Sequence, residues 1–208
     1  MAKPAPDITK AARRRLDPEV RKQMILDKAA VLVAAEGVGA ATMERIGREA
    51  GVSKPLVYAY FQNITNLLQE LLLRDQRRLW EQQSIAVSGA TDFDDLIRRT
   101  TQTYLKHAEQ NGMHIQRLMN EAAVAEAFEE NERRERQRVM DFLVSEMTRT
   151  LRIPREIASL VIELSLGMTG AAGELVSRGG VSRKKIEEVL ICLYQGNTAA
   201  LRAKYGKD

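Results

Sequence analysis

Apolar side chains recur at intervals of three and four positions along most of the chain, and strand-like alternation is scarce. The 13 glycines and 5 prolines are few for 208 residues. We therefore predict an all-α protein. The helical pattern is interrupted, so that predicted helices begin or end, at Asp17-Pro18, Gly37, Thr42, Gly51, Asn63, Ser88-Gly89, Asn111-Gly112, Ile153-Pro154 and Gly179-Gly180.

Residues 42–61 predict two short helices joined by a tight turn. Thr42 and Ser53 are suitable N-caps, because a hydroxyl can accept a hydrogen bond from an otherwise unpaired backbone N–H. Gly51 supplies the backbone conformation that a sharp turn requires. Apolar residues four apart form an inner face (Ile46, Ala50, Val57, Phe61) and leave an outer face of Lys54, Pro55, Tyr58 and Tyr60. A basic, aromatic outer face suits a reader of the DNA major groove.

The run from Ile25 to Phe61 resembles the N-terminal domain of the tetracycline-repressor (TetR) family of one-component regulators. Many positions match in order and at fixed spacing: Ile25-Leu26, Ala29, Leu32, Gly37, Thr42, Ile46, Ala50-Gly51-Val52-Ser53, Tyr58, Tyr60 and Phe61. We accordingly predict a three-helix helix-turn-helix DNA-binding domain at residues 17–62. A larger helical effector-binding and dimerisation domain would follow at residues 63–208.

The first residues of the second short helix have side chains suited to base contacts. Lys54 can donate to guanine O6 and N7, and Pro55 offers an apolar surface to a thymine methyl group. The resemblance implies that Lys54, Pro55 and Tyr58 read bases. It further implies contacts that position the protein on double-stranded DNA, made by Thr42, Ser53 and Tyr60. Leu56 is an additional candidate, for which an ordinary exposed position is the alternative.

One position departs from the family. Members usually carry lysine at the start of the next helix, where this chain has Ile64. Asn63, Thr65 or the helix N-terminus must then supply the phosphate contact, or DNA affinity is lower.

Basic residues are concentrated at the N-terminus, although the formal net charge is only +4. They predict a flexible basic arm at residues 1–16 that contacts phosphates or the minor groove. A solvated, disordered terminus without a DNA role is the alternative. These residues are Lys3, Lys10, Arg13, Arg14 and Arg15.

The remaining composition indicates the compartment. The single cysteine, Cys192, excludes an intramolecular disulfide and fits a reducing environment. No apolar run approaches the roughly 20 residues of a membrane-spanning helix, and the N-terminus lacks the apolar segment of a signal peptide. We therefore predict a cytoplasmic protein that does not interact with membranes.

The family resemblance implies a small-molecule pocket in the larger domain. Polar-tipped and thioether side chains in otherwise apolar helices are the candidates for its lining, and ordinary core packing is the alternative. The candidates are Tyr104, His107, Met113, His114, Met119, Met140, Leu143, Met147 and Met168. Glu163 is open to two interpretations, as a pocket carboxylate or as a polar group at a dimer interface.

Small residues on the last two predicted helices indicate a homodimer interface, because they allow helices to approach closely. Packing of the same helices within one chain is the alternative, and the family resemblance favours the dimer. The predicted interface residues are Ser159, Leu166, Gly170, Gly173, Cys192, Gly196, Ala199 and Ala203.

We predict a ligand-responsive transcriptional regulator, a repressor released from a palindromic operator by a small hydrophobic molecule. A DNA-binding regulator or architectural protein without an effector is the alternative. Catalysis is not predicted, because the two histidines, His107 and His114, form no metal-ligand pattern with carboxylates and no nucleophile motif or phosphate loop occurs. We likewise predict no metal and no cofactor.

Overall fold

A computed structural model of the chain describes residues 17–206, except for the side chains of residues 130–132. The described residues form helices and no strands. The predicted basic arm, residues 1–16, lies outside the described residues. In chain order the elements are α1 (Pro18–Glu36), a short 3-10 helix (Val38–Ala40), α2 (Met43–Glu49), α3 (Lys54–Tyr60), α4 (Ile64–Ser88), α5 (Phe93–Met119), α6 (Ala122–Leu151), α7 (Arg155–Arg178) and α8 (Arg183–Tyr205).

Side-chain caps confirm several of the predicted helix starts. Asp17 Oδ1 accepts from the backbone N–H of Glu19 at 2.8 Å, and Thr42 Oγ1 accepts from that of Arg45 at 3.2 Å. Asn63 Oδ1 accepts from the N–H of Asn66 at 2.8 Å. Ser53 is different: it lies at the N-cap position of α3, but its side chain makes no capping hydrogen bond. The α3 start therefore depends on Pro55, whose fixed φ favours the first helical turn.

The predicted break at Asn111-Gly112 is wrong, because α5 continues through it to Met119. A Cβ atom added at Gly112 would lie 2.6 Å from Ser177 Cβ, so the glycine allows close approach of α5 and α7. A new helix therefore does not begin after Gly112. The chain instead turns at Asn120, and α6 incorporates the charged run that follows Phe128.

The main apolar core connects the N-terminal helices to the larger domain. It contains the inner-face residues of α1–α3 and the leucines that begin α4, together with Leu118 of α5 and Val124 of α6. Two further clusters lie in the larger domain, one between α5, α7 and α8 and the other between α6 and α7. Leu118 and Val124 are part of the close-packed N-terminal core, so a movement of α5 or α6 would displace side chains of α1–α3.

Candidate DNA-binding surface and effector cavity

The turn between α2 and α3 brings the two helices into close contact at Gly47 and Val57. Gly51 has a φ of 66°, in the left-handed region that favours glycine, and the N–H of Val52 donates to Gly47 O at 2.9 Å. A Cβ atom at Gly47 would lie 3.0 Å from Val57 Cγ2. The sequence analysis did not single out Gly47, although a glycine between Ile46 and Arg48 in the interior of a short helix is the signal that could have indicated close packing.

The outer face of α3 borders a cleft of about 700 Å³ at the N-terminal end of α4. Lys54 and Tyr58 line this cleft, and Ser53 and Pro55 are exposed beside it on the chain. Leu56 is half-buried. The structure thus brings together most of the predicted DNA contacts on one surface, and the cleft residues among them are Thr42, Lys54, Tyr58, Asn63 and Thr65.

Lys54 forms one ion pair on this surface. Its Nζ lies 3.5 Å from Glu44 Oε2, and both side chains are largely exposed. Exposed pairs of this kind contribute only about 0–1 kcal/mol, so the lysine can exchange the carboxylate for a base or phosphate at little cost.

Tyr60 does not point outward as predicted. It is half-buried and packs against the main apolar core, with its ring centroid 6.4 Å from that of Phe61. Tyr60 is the last residue of α3 and precedes the buried Phe61. Its hydroxyl remains a candidate for phosphate contact, but its ring is a packing group.

A polar cluster joins α4 to α1 between the two regions. Arg74 Nη1 donates to Asp27 Oδ1 of α1 at 2.7 Å, and its Nε donates to Asp75 Oδ1 at 3.2 Å. Only 5% of Arg74 and 1% of Asp75 are exposed. Sequence reasoning missed both residues, although a charged pair directly after the apolar pattern of Leu71 and Leu72 was a usable signal.

The same cluster reaches α5. His114 Nε2 lies 2.6 Å from Asp75 Oδ2, and Arg117 Nη1 donates to Val33 O of α1 at 2.7 Å. Burial alone would raise the pKa of Asp75, but the hydrogen bond with His114 and the charge of Arg74 outweigh it and hold the pKa below its usual value. The buried carboxylate of Asp75 therefore links α4 to α5, while Arg74 links α4 to α1.

The larger domain contains a cavity of about 980 Å³, which we call the central cavity. Residues of α4, α5, α6, α7 and α8 line it, most of them apolar or aromatic. Four of the predicted pocket residues are among them: Tyr104, Met140, Leu143 and Met147. Residues that the sequence analysis did not consider include Trp80 of α4, Phe93 of α5, Thr169 of α7 and Tyr194 of α8.

The other predicted pocket residues lie elsewhere. His114 belongs to the polar cluster, and His107 is buried with its Nδ1 3.3 Å from Asn111 Nδ2. Met119 packs against the main apolar core and Met168 against the cluster of α5, α7 and α8, while Met113 is exposed. Placing these residues in the pocket was wrong. The part of α5 that lines the cavity ends at Tyr104, and His107, Met113, His114 and Met119 lie beyond it, while Met168 of α7 packs against α5 and α8 instead.

The outward surface of α7 and α8 is apolar. On α7, Leu164 is 72% exposed and Leu160 55%, and on α8 Val189 is 51% exposed. The predicted interface residues that share the exposed surface of these helices are Ser159, Cys192, Gly196, Ala199 and Ala203. Glu163 is also exposed and does not line the central cavity, so its interpretation as a pocket carboxylate is wrong.

Three predicted interface residues of α7 face inward instead. Leu166 and Gly170 line the central cavity. Gly173 is buried, and a Cβ atom added there would lie 2.8 Å from the Tyr104 ring. The prediction for these three residues is wrong, because they lie on the side of α7 that faces the cavity and α5, where Gly173 gives room to the Tyr104 ring.

By length and mean hydropathy, 1.3, α7 could cross a membrane, contrary to the sequence prediction. A helix of a soluble protein that packs on its neighbours passes the same test, so this is weak evidence for a span. Within residues 17–206, leaving aside side chains 130–132, histidine, cysteine and carboxylates form no group of three that could hold a metal ion.

Comparison with known proteins agrees with this architecture. The family model for bacterial regulatory proteins of the tetR family matches residues 25–71. The HTH-type transcriptional repressor SCO4008 of Streptomyces coelicolor is 31% identical over 96 residues, which are 45% of this chain and 47% of that protein. The match thus spans about half of this relative.

Solved structures extend the likeness to the fold of most of the chain. A TetR-like transcriptional regulator from Rhodococcus sp. RHA1 aligns with a TM-score of 0.71 at 21% identity, covering 89% of this chain and 99% of that one. AibR, solved with isovaleryl coenzyme A and operator DNA, aligns with a TM-score of 0.63 at 17% identity, covering 83% of this chain and 97% of that one.

The N-terminal helix-turn-helix followed by a larger helical domain defines a helix-turn-helix regulator of transcription. Within that class, the N-terminal region, residues 25–71, belongs to the TetR family of bacterial regulatory proteins, and the fold of most of the chain is similar to that of TetR-like regulators.

Proposed function

We propose that the protein is a ligand-responsive repressor acting in the cytoplasm. It binds a palindromic double-stranded operator as a homodimer, and a small, largely apolar molecule in the central cavity releases it from the DNA. SCO4008, with which it shares sequence, is described as a transcriptional repressor. AibR has a similar fold and has been solved with both a ligand and operator DNA.

One observation carries this proposal: a single helix, α4, lines both candidate sites. Ile64, Thr65 and Leu68 line the cleft beside α3, and Leu79 and Trp80 line the central cavity. Thr65 and Trp80 are about 22 Å apart along the helix axis, at about 1.5 Å per residue. A ligand that moves the α4 wall of the cavity would therefore also move the end of α4 that supports the DNA-binding surface.

The polar cluster provides a fixed connection for this movement. Arg74 and Asp75 lie on α4 between the two sites, and their partners Asp27 and His114 lie on α1 and α5. The guanidinium of Arg74 is buried, so loss of its contact with the exposed carboxylate of Asp27 would remove one partner of a buried charge. We expect α1 to follow α4 for this reason. The ligand then shifts an equilibrium between two arrangements of the reading surface.

The outward surface of α7 and α8 is proposed to hold a second copy of the chain. The two helices expose large apolar side chains, including Leu160, Leu164, Val189 and Leu193. Exposed apolar side chains grouped on one surface indicate a site of protein–protein interaction. A twofold dimer presents two α3 helices, which must match two half-sites about one DNA turn apart. A small change in their separation then suffices to weaken operator binding.

The DNA-binding part is tested by footprinting DNA upstream of the protein's own gene with Lys54→Ala and Lys28→Ala. Lys28 is exposed on α1 and does not line the cleft, so this control removes the same charge elsewhere. We expect a protected palindrome, and Lys54→Ala should weaken binding by about 1–3 kcal/mol per half-site and relax discrimination at one guanine. Equal effects of the two variants, or diffuse protection at every salt concentration, would contradict base reading by Lys54.

A further inference from the structure

Among the described residues, the charged side chains that line the central cavity all come from α6. They are Glu129, Arg133, Arg136 and Arg138, and each is exposed to solvent at the cavity margin. Arg133 and Arg136 are three positions apart, so they lie on one face of the helix. Among the described lining residues, three charged side chains are therefore arginines and one is a carboxylate.

Three hydroxyl groups that line the cavity make hydrogen bonds within the protein. Thr100 Oγ1 donates to Leu96 O at 2.7 Å, and Thr169 Oγ1 donates to Ser165 O at 2.9 Å. The Tyr194 hydroxyl donates to the same carbonyl at 2.8 Å. Because these lining hydroxyls are satisfied by the protein, the interior presents mainly methyl groups and aromatic rings to a ligand.

The rim arginines differ in their availability. Arg138 Nη1 donates to Glu135 Oε1 at 2.5 Å. Among the side chains that the structure describes, neither Arg133 nor Arg136 has an ion-pair partner. A planar, exposed guanidinium can bind the carboxylate or phosphate of a ligand through two parallel hydrogen bonds.

We propose that the ligand of the central cavity is an amphipathic anion. Its hydrocarbon body occupies the apolar interior, and its charged end is held by Arg133 and Arg136. Fatty carboxylates and their coenzyme A thioesters share this chemistry, and a cavity of about 980 Å³ is large enough for such a chain. The inference rests on the proposed ligand-responsive function and specifies the class of molecule that would act through it.

The test compares four probes of equal chain length, each below its critical micelle concentration: dodecanoate, dodecanoyl-coenzyme A, dodecanol and dodecyltrimethylammonium. Binding is followed by the fluorescence of Trp80, which is the single tryptophan of the chain and lines the cavity. We expect at least one anion to bind about tenfold or more tightly than the alcohol and the ammonium ion. The anion that binds more tightly shows whether the ligand is a free carboxylate or a coenzyme A thioester.

Variants locate the charged end. The double variant Arg133→Gln, Arg136→Gln should weaken binding of the anion about tenfold or more and leave dodecanol binding unchanged. Arg134→Gln is the matched control, because Arg134 lies on the same exposed stretch of α6 and does not line the cavity. If neither anion binds more tightly than dodecanol, or if the control variant loses as much affinity as the double variant, the proposal is overturned.

A second readout separates this proposal from the function on which it rests. The anisotropy of labelled operator DNA is measured with the same probes. If dodecanoate binds with the expected charge preference but operator affinity is unchanged, the ligand class stands and the ligand-responsive function fails. If only an uncharged probe binds and releases the DNA, the regulatory function stands and the amphipathic anion is wrong.

Discussion

The DNA-reading region and the sensing region of this molecule are packed in different ways. Around α1–α3 the core is dense: Ile25, Ile46 and Val57 are completely buried, and Gly47 allows the two short helices to touch. In the larger domain, the long helices α4–α8 surround a cavity of about 980 Å³. The same apolar residue types thus build a closed core in one region and an open one in the other.

This difference corresponds to what each region has to do. A reading helix must hold a few side chains at fixed positions against base edges, and close packing provides that rigidity. A sensing domain must leave room for a ligand and adopt a second arrangement, which a filled core would prevent. We expect stability to be concentrated near the N-terminal end of α4 and adaptability near its C-terminal half.

The largest expected effect comes from matched truncations on α4. Leu71 is fully buried in the main core, while Leu79 is half-buried on the cavity wall. Leu71→Ala should lower the free energy of unfolding by about 2–5 kcal/mol, because it creates a cavity in a dense core. Leu79→Ala should cost clearly less, since the space beside it is already empty. Urea denaturation measures both, and equal losses would show that the central cavity is not open in solution.

Two glycines of α7 should respond with opposite signs. A Cβ atom at Gly173 meets the Tyr104 ring, so Gly173→Ala should destabilise the protein by about 1–3 kcal/mol and displace Tyr104 in the cavity. Gly170→Ala meets nothing within 4 Å and should stabilise the helix by about 0.5–1 kcal/mol. The thermal unfolding midpoints of the two variants test these signs. A stabilising effect of Gly173→Ala would mean that α5 and α7 are farther apart than described.

The smallest expected effect is a loss of stability on acidification. Burial, more than any neighbouring charge, holds the pKa of His107 below its usual value, while Asp75, His114 and Arg78 act on it more weakly. The unfolded chain therefore binds more protons than the folded one as the pH falls below about 6.5, so unfolding becomes easier between pH 7 and 5. The lowered pKa of Asp75 adds a second loss only below about pH 4.

Thermal melting between pH 7 and 5 tests this for the chain and for His107→Gln. Both histidines of the sequence lie on α5, so α1–α3 should contribute no histidine titration. The variant should lose most of the pH dependence in this range. An unchanged slope would show that His107 does not cause the effect.

The candidate DNA-binding surface was easier to predict than the cavity, for a physical reason. Thr42, Lys54, Tyr58, Asn63 and Thr65 lie on short, neighbouring helices, and local spacing decides which way their side chains point. The cavity is lined from five helices that are distant in sequence. Tyr104 and Met147 could be predicted as lining residues from their residue type. Whether Trp80, Arg133 and Arg136 face the cavity depends on how whole helices are rotated against each other.

The sequence alone determined the helical class, the turn at Gly51, the caps at Thr42 and Asn63, and the family to which the N-terminal region belongs. These features depend on residues a few positions apart. Only the tertiary structure decided that α5 runs through Asn111-Gly112 and that Gly170 and Gly173 face inward. The reason is that a glycine in a sequence is equally compatible with a turn, a close helix contact or a gap. Which of these occurs depends on the position of the neighbouring helix.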